Sequence, residues 1–168
     1  MLHPNGTLKA AGVIWVQVLV DLIRRPDNQA ATFRSIFERA EQSPECDENI
    51  QEWLREAKQQ ELMRATKNIG WAKIAWSYGM NLLHRLAHGL LRYEDLKYRE
   101  VVEAVIVEAG DTDTNAAIVG GLLGAIIGFT NLPTAYLQTM FSLRFEQAKG
   151  KTKRPSHYEP LNVLLVAL

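Results

Sequence analysis

Asp111-Thr112-Asp113-Thr114-Asn115, entered through Glu108-Ala109-Gly110 and running into A-A-I-V-G-G-L-L-G-A-I-I-G-F at Ala116 to Phe129, decides how this chain is read. Asp and Thr are favoured N-caps, because their side-chain oxygens accept from the free N–H groups of a first helical turn. The run therefore opens a helix, and the apolar residues behind it put that helix in a core. One cap needs one residue, yet here two carboxylates and two hydroxyls crowd a single turn. Neighbouring carboxylates repel, and the positive end of a helix offsets only part of that repulsion. A cation would relieve it. The donors of Asp111, Asp113 and Thr114 are all oxygens, which favours magnesium, calcium or manganese over zinc. Magnesium keeps several waters that a substrate can replace or that can act as nucleophile. Elaborate capping is the alternative, and spacing alone leaves both open.

Gly120, Gly124 and Gly128 recur every fourth residue along the apolar run. Each glycine in a helix interior costs about 1 kcal/mol relative to alanine, so the stripe is expected to let another helix approach closely. A bilayer span needs about 20 apolar residues; this run is shorter and opens on two aspartates, so a buried central helix is expected.

Helical periodicity extends outward from there in both directions. Thr7 to Arg24 carries Leu8, Ala11, Trp15, Val18, Leu19 and Leu22 on one face, with Val13, Val16, Val20 and Ile23 on the other, which predicts burial on several sides. Further helices are expected over Gln29–Gln42, Asn49–Met63, Trp71–Leu91, Tyr93–Ala109, Pro133–Lys149 and Leu161–Leu168, with breaks at Pro26 and at Ser43-Pro44. Val105-Ile106-Val107 alone could pass for a strand, but Val101, Val102, Val105, Ile106 and Ala109 keep helical spacing. The expected fold is all-α, a compact multi-helix domain over residues 1–168, without repeats or a linker.

Composition narrows the function classes. With 19 basic and 19 acidic residues there is no electrostatic case for nucleic acid or an anionic membrane. Cys46 is the single cysteine, so no internal disulfide forms; it reads as an inert surface thiol. Ala10 to Val20 is apolar but contains Gln17 and runs into Asp21 without a small-residue cleavage site. A soluble intracellular protein is expected, cytoplasmic first and mitochondrial as the alternative.

Other constellations carry less. His84 and His88 could share a helix face as zinc ligands do, but the glutamate of H-E-x-x-H and a third ligand are missing. His157 has no evident nucleophile beside it. The four tryptophans read as core or helix-contact residues. The glycines after Asp113 lie inside a helix, whereas a phosphate loop needs them before it. The basic run Lys149 to Arg154 reads as a solvated connector.

Ala109-Gly110-Asp111-Thr112-Asp113-Thr114 with Asn115-Ala116-Ala117-Ile118 resembles the C-terminal G-G-D-T-D-T, N-A-A-I signature of the ADP-ribosylglycohydrolases, departing only at Ala109. Asn68-Ile69-Gly70-Trp71, Leu132-Pro133 and Lys153-Arg154-Pro155 are similar to further family segments, and Leu2-His3-Pro4-Asn5 to a T-H-P-N segment that has lost its threonine. The resemblance implies an all-helical fold with two magnesium ions that hydrolyses the glycosidic bond of ADP-ribose to a protein side chain or small acceptor. It implies Asp111, Asp113 and Thr114 as metal ligands and His3 at the border of the ADP-ribose cleft. The family's first half supplies a G-D-x-x-G segment, a T-D-D triplet of ligands and a G-N-G-x-x-M-R phosphate loop, none of which occurs here. The chain is thus expected to match the family's C-terminal half and to be incomplete as an enzyme by itself. ADP-ribose or an ADP-ribosylated protein would be its substrate. The alternative is a catalytically inactive structural or assembly subunit whose apolar faces a protein partner covers.

Overall fold

The computed structural model describes residues 6–59, 71–107 and 111–142. Among them there is no strand. The helices are α1 (Gly6–Arg24), α2 (Ala30–Glu41), α3 (Glu48–Gln59), α4 (Trp71–Ala87), α5 (Tyr98–Val107), α6 (Thr112–Ile127) and α7 (Thr134–Ser142), with short 3-10 turns at Tyr93–Asp95 and Phe129–Asn131. Two compact units result, residues 1–130 and 131–168, and α7 belongs to the second. The expected helix over Leu161–Leu168 lies outside the described residues.

Helix ends follow local chemistry. Pro26 disfavours helical backbone at Arg25, and α1 ends at Arg24. α4 stops at Ala87, four residues before the expected Leu91, because Gly89 takes a φ of 68°. The Gly89 amide then donates to Leu86 O at 3.3 Å and the Leu90 amide to Arg85 O at 2.9 Å, a Schellman closure that satisfies the last carbonyls. The expected helix over Tyr93–Ala109 is split into the 3-10 turn and α5.

α4 is the hub of the first unit and packs on α1, α2, α3 and α6, while α5 packs on α6. Ala75, Met80, Leu82, Leu83 and Ala87 of α4 are fully buried. On α6 the equivalents are Val119, Leu122, Leu123 and Ile126. Burial of one such Leu or Ile contributes about 1.5–3 kcal/mol, an upper figure because the unfolded chain is already partly compact.

Three helices run in the same direction. The Trp76 indole Nε1 donates to Ala11 O at 3.1 Å. One turn on, Gly79 faces Trp15 and Leu122. At the far end Arg25 donates from Nη1 to Ala125 O at 2.7 Å and from Nη2 to Ile126 O. Residue numbers on α1, α4 and α6 thus rise together, and their N-terminal ends share one end of the unit.

Two sequence expectations change. α1 is buried on one side only: Ala10, Ala11, Ile14, Val18 and Leu22 face the core, while Val13, Val16 and Ile23 are 51%, 60% and 72% exposed. α1 also meets the length and hydropathy of a membrane-crossing helix, yet in this unit it packs on α2, α6, α3 and α4. The glycine stripe of α6 does not act as one surface. A Cβ on Gly120 would meet the Tyr98 hydroxyl at 2.8 Å, whereas one on Gly124 meets nothing, and Gly128 caps the helix with a φ of 79°. Close approach rests on Gly79, which faces Trp15 of α1 and Leu122 of α6, and on Gly120, which faces Tyr98 of α5.

Candidate functional site

Asp111 is the N-cap of α6 by position; its carbonyl accepts from the Asn115 amide at 2.9 Å, but its carboxyl makes no capping hydrogen bond. Asp113 Oδ1 accepts from the Thr114 amide at 2.9 Å. Asp111, Asp113 and Thr114 are all exposed. A side-chain hydrogen bond with Asp111 holds the Asp113 carboxyl below the usual carboxylate range, and the Thr114 amide adds to the effect. The sequence thus places two acidic groups together, and capping occupies only one of them.

One turn further in, Asn115 is 1% exposed, and both its amide nitrogen and its oxygen lack a partner among the described residues. An unsatisfied buried polar group costs about 1–3 kcal/mol. Motif spacing alone gives Asn115 no role. The signal was available, as a polar residue on the inward side of an otherwise apolar helix.

The donor chemistry at Asp111, Asp113 and Thr114 fits a hard cation, being wholly oxygen, exposed and net negative. Its number does not complete a site. Among the described residues no group of three or more His, Cys, Asp or Glu gathers anywhere. His3 lies outside the described residues, as do Asn68, Ile69, Gly70, the Lys149 to Arg154 run and His157.

The family's sequence profile, ADP-ribosylglycohydrolase, matches residues 1–154. The chain belongs to the ADP-ribosylglycohydrolase family. No curated protein and no solved structure matches it. The all-helical architecture agrees with the ADP-ribosylglycohydrolase fold, and membership points to a glycohydrolase activity and to metal dependence in general terms.

The remaining candidates are placed as structural groups. The rings of His84 and His88 lie 4.4 Å apart, with Phe37 against His84 at 5.3 Å. Burial first, then His88 and Lys58, pushes the His84 imidazole below its ordinary value. The His84 imidazole thus resists taking up a proton, and no third ligand joins the two rings among the described residues. Trp53 and Trp76 pack edge to face at 5.8 Å. Cys46 is half-buried and free; burial, then Asp47 and Glu41, raise its thiol, which suppresses the reactive thiolate.

Proposed function

We propose that this chain carries the C-terminal part of an ADP-ribosylglycohydrolase centre, hydrolysing ADP-ribosyl glycosidic bonds once further ligands complete it. The observation that carries the proposal is the pair of carboxyls of Asp111 and Asp113, exposed with Thr114 at the start of α6 on a chain of this family. Asp111, Asp113 and Thr114 would hold magnesium, which when bound supplies an activated water and stabilises negative charge. These side chains contribute negative charge and neutral oxygen at one mouth of the unit. Asn115, buried with both amide atoms unpartnered among the described residues, has the donor and acceptor to fix the second carboxylate or a bound water. The sequence contains no T-D-D triplet, so the remaining anionic ligands are proposed to come from a complementary N-terminal half, in the same parent protein or another chain.

Magnesium titration by calorimetry, alone and with a chain supplying the family's N-terminal ligands, tests this. Weak binding by the chain alone, tight binding and ADP-ribosyl cleavage on reconstitution, and loss of both in Asp113→Asn are expected. Asn keeps the capping acceptor and loses the charge, so the fold should survive. Tight binding with turnover by the isolated chain would overturn the incompleteness. Absence of cleavage in every reconstitution would overturn the activity.

A second function is favoured by α1. Val13, Val16, Val20 and Ile23 form an exposed apolar stripe, and such patches mark association surfaces. An inactive assembly subunit would then self-associate or bind apolar dye. A well-behaved monomer by light scattering, without dye binding, speaks against it.

A further inference from the structure

Where α1 hands over to α2, the surface carries an open cavity of about 430 Å³. Arg24, Arg25 and Arg39 line it with Thr32 and Ser35, and Asp21 is the only carboxylate in the lining. The three guanidiniums differ in what they already do. Arg25 is spent on Asn28 and on the carbonyls of Leu22, Ala125 and Ile126, so it contributes charge from a fixed position. Arg39 gives Nε to Asp21 and Nη1 to Ser35 Oγ, both at 3.0 Å, which leaves Nη2. Arg24 has no partner among the described residues. Ser35 accepts from Arg39 and so keeps its own hydroxyl proton to donate. Gln29 gives α2 no side-chain cap, and the Ala31 amide at the cavity has no backbone acceptor. Pro26, Ala31 and Ile36 supply an apolar wall.

We propose that this cavity binds the phosphate of a small phosphorylated organic molecule. Arg24 and Arg39 Nη2 would be its cationic donors, Ser35 and the Ala31 amide its neutral ones, and the apolar wall would face the organic part. Charge-assisted bonds from guanidinium to phosphate are among the strongest available to a protein. The volume lies in the range of small-molecule pockets, about 300–1,000 Å³, and is too large for a bare phosphate. The place is separate from the aspartate pair. Arg25 meets α6 at Ala125 and Ile126, about 21 Å along the helix from Asp111 at 1.5 Å per residue.

Inorganic phosphate and phenyl phosphate, titrated separately into the full chain at constant ionic strength, give the test, followed by calorimetry and by the arginine Nε–H resonances. Saturable binding is expected, tighter for phenyl phosphate. Arg24→Gln and Arg39→Gln should each weaken it at least tenfold, and Arg99→Gln and Asp111→Asn should leave it unchanged. Arg24 is exposed and makes no contact the fold needs, so its variant should keep the wild-type circular dichroism. Absence of saturation, binding retained in both arginine variants, or binding lost in Asp111→Asn overturns the proposal. Inorganic phosphate binding with phenyl phosphate excluded overturns the organic part.

Discussion

Replacing Gly79 by alanine tests the arrangement that holds α1, α4 and α6 together. A Cβ at that position would stand 2.9 Å from Leu122 Cδ2 and 2.9 Å from Trp15 Cζ3, with Trp15 Cη2 nearer still. Carbon atoms pack best at about 3.5–4.0 Å, so two neighbouring helices must give way together. Overpacking of this kind costs about 1–3 kcal/mol, while removing a helix-interior glycine returns about 1 kcal/mol. Because the clash involves two elements, the upper part of the range applies, leaving a net loss of about 1–2 kcal/mol. For a chain of this size that lowers the melting temperature by about 2–8 °C. Gly124→Ala is the internal control, since nothing lies within 4 Å of its Cβ; only the propensity gain of about 1 kcal/mol remains, and it should melt higher than wild type. Trp15→Phe in the Gly79→Ala background should recover part of the loss. Thermal melts by circular dichroism measure all four. If Gly79→Ala melts at or above wild type, or Gly124→Ala proves the more damaging, the helices are not packed as described.

Asn115→Leu should raise the melting temperature of the isolated chain, because a buried amide without partners among the described residues costs about 1–3 kcal/mol and leucine of similar size carries no such cost; a lower melting temperature would show that the amide is satisfied. Acid should also weaken the fold through His84. Its folded value lies below the ordinary imidazole value, so the unfolded chain takes up the proton first. The stability is therefore present above the ordinary value and is lost as pH falls from there through the folded one. The melting temperature of wild type should drop more between neutral and mildly acidic pH than that of His84→Gln, and parallel profiles would remove His84 as the cause.

Much of this was legible in the sequence, for identifiable reasons. The breaks at Pro26 and at Ser43-Pro44 act through local backbone sterics, so α1 and α2 end within a residue or two of expectation. The helix behind Asp111 was legible because capping residues and an apolar run agree. Tertiary context was harder to see. Val13, Val16, Val20 and Ile23 are as apolar as their buried neighbours, and nothing local tells which side of α1 meets α4. The α6 glycines looked like a contact stripe because periodicity reports a shared face but not what lies across it. Gly79 stands alone in its helix and gave no pattern. At the site, adjacency put Asp111 and Asp113 together, whereas a third ligand depends on distant parts of a chain and leaves no mark in local spacing.

The common direction of α1, α4 and α6 also governs how the unit folds. Parallel neighbours cannot be joined by a tight turn, so the chain returns through α2, whose Arg34 and Phe37 meet Ala87 and His84, and later through α5, while α3 runs with α1 and α4. The contacts that lock the three helices consequently close long loops: Trp76 to Ala11 spans 65 residues and Arg25 to Ile126 spans 101. Loop-closure entropy must be met before such contacts stabilise anything, which slows folding relative to a bundle of antiparallel hairpins. Pairs near in sequence, α3 with α4 and α5 with α6, can dock early, and α1 is fastened to the C-terminal end of α6 late. Until then its apolar residues on both sides are open to solvent, making α1 the segment on which a nascent or damaged chain would first be captured by a chaperone or by another copy.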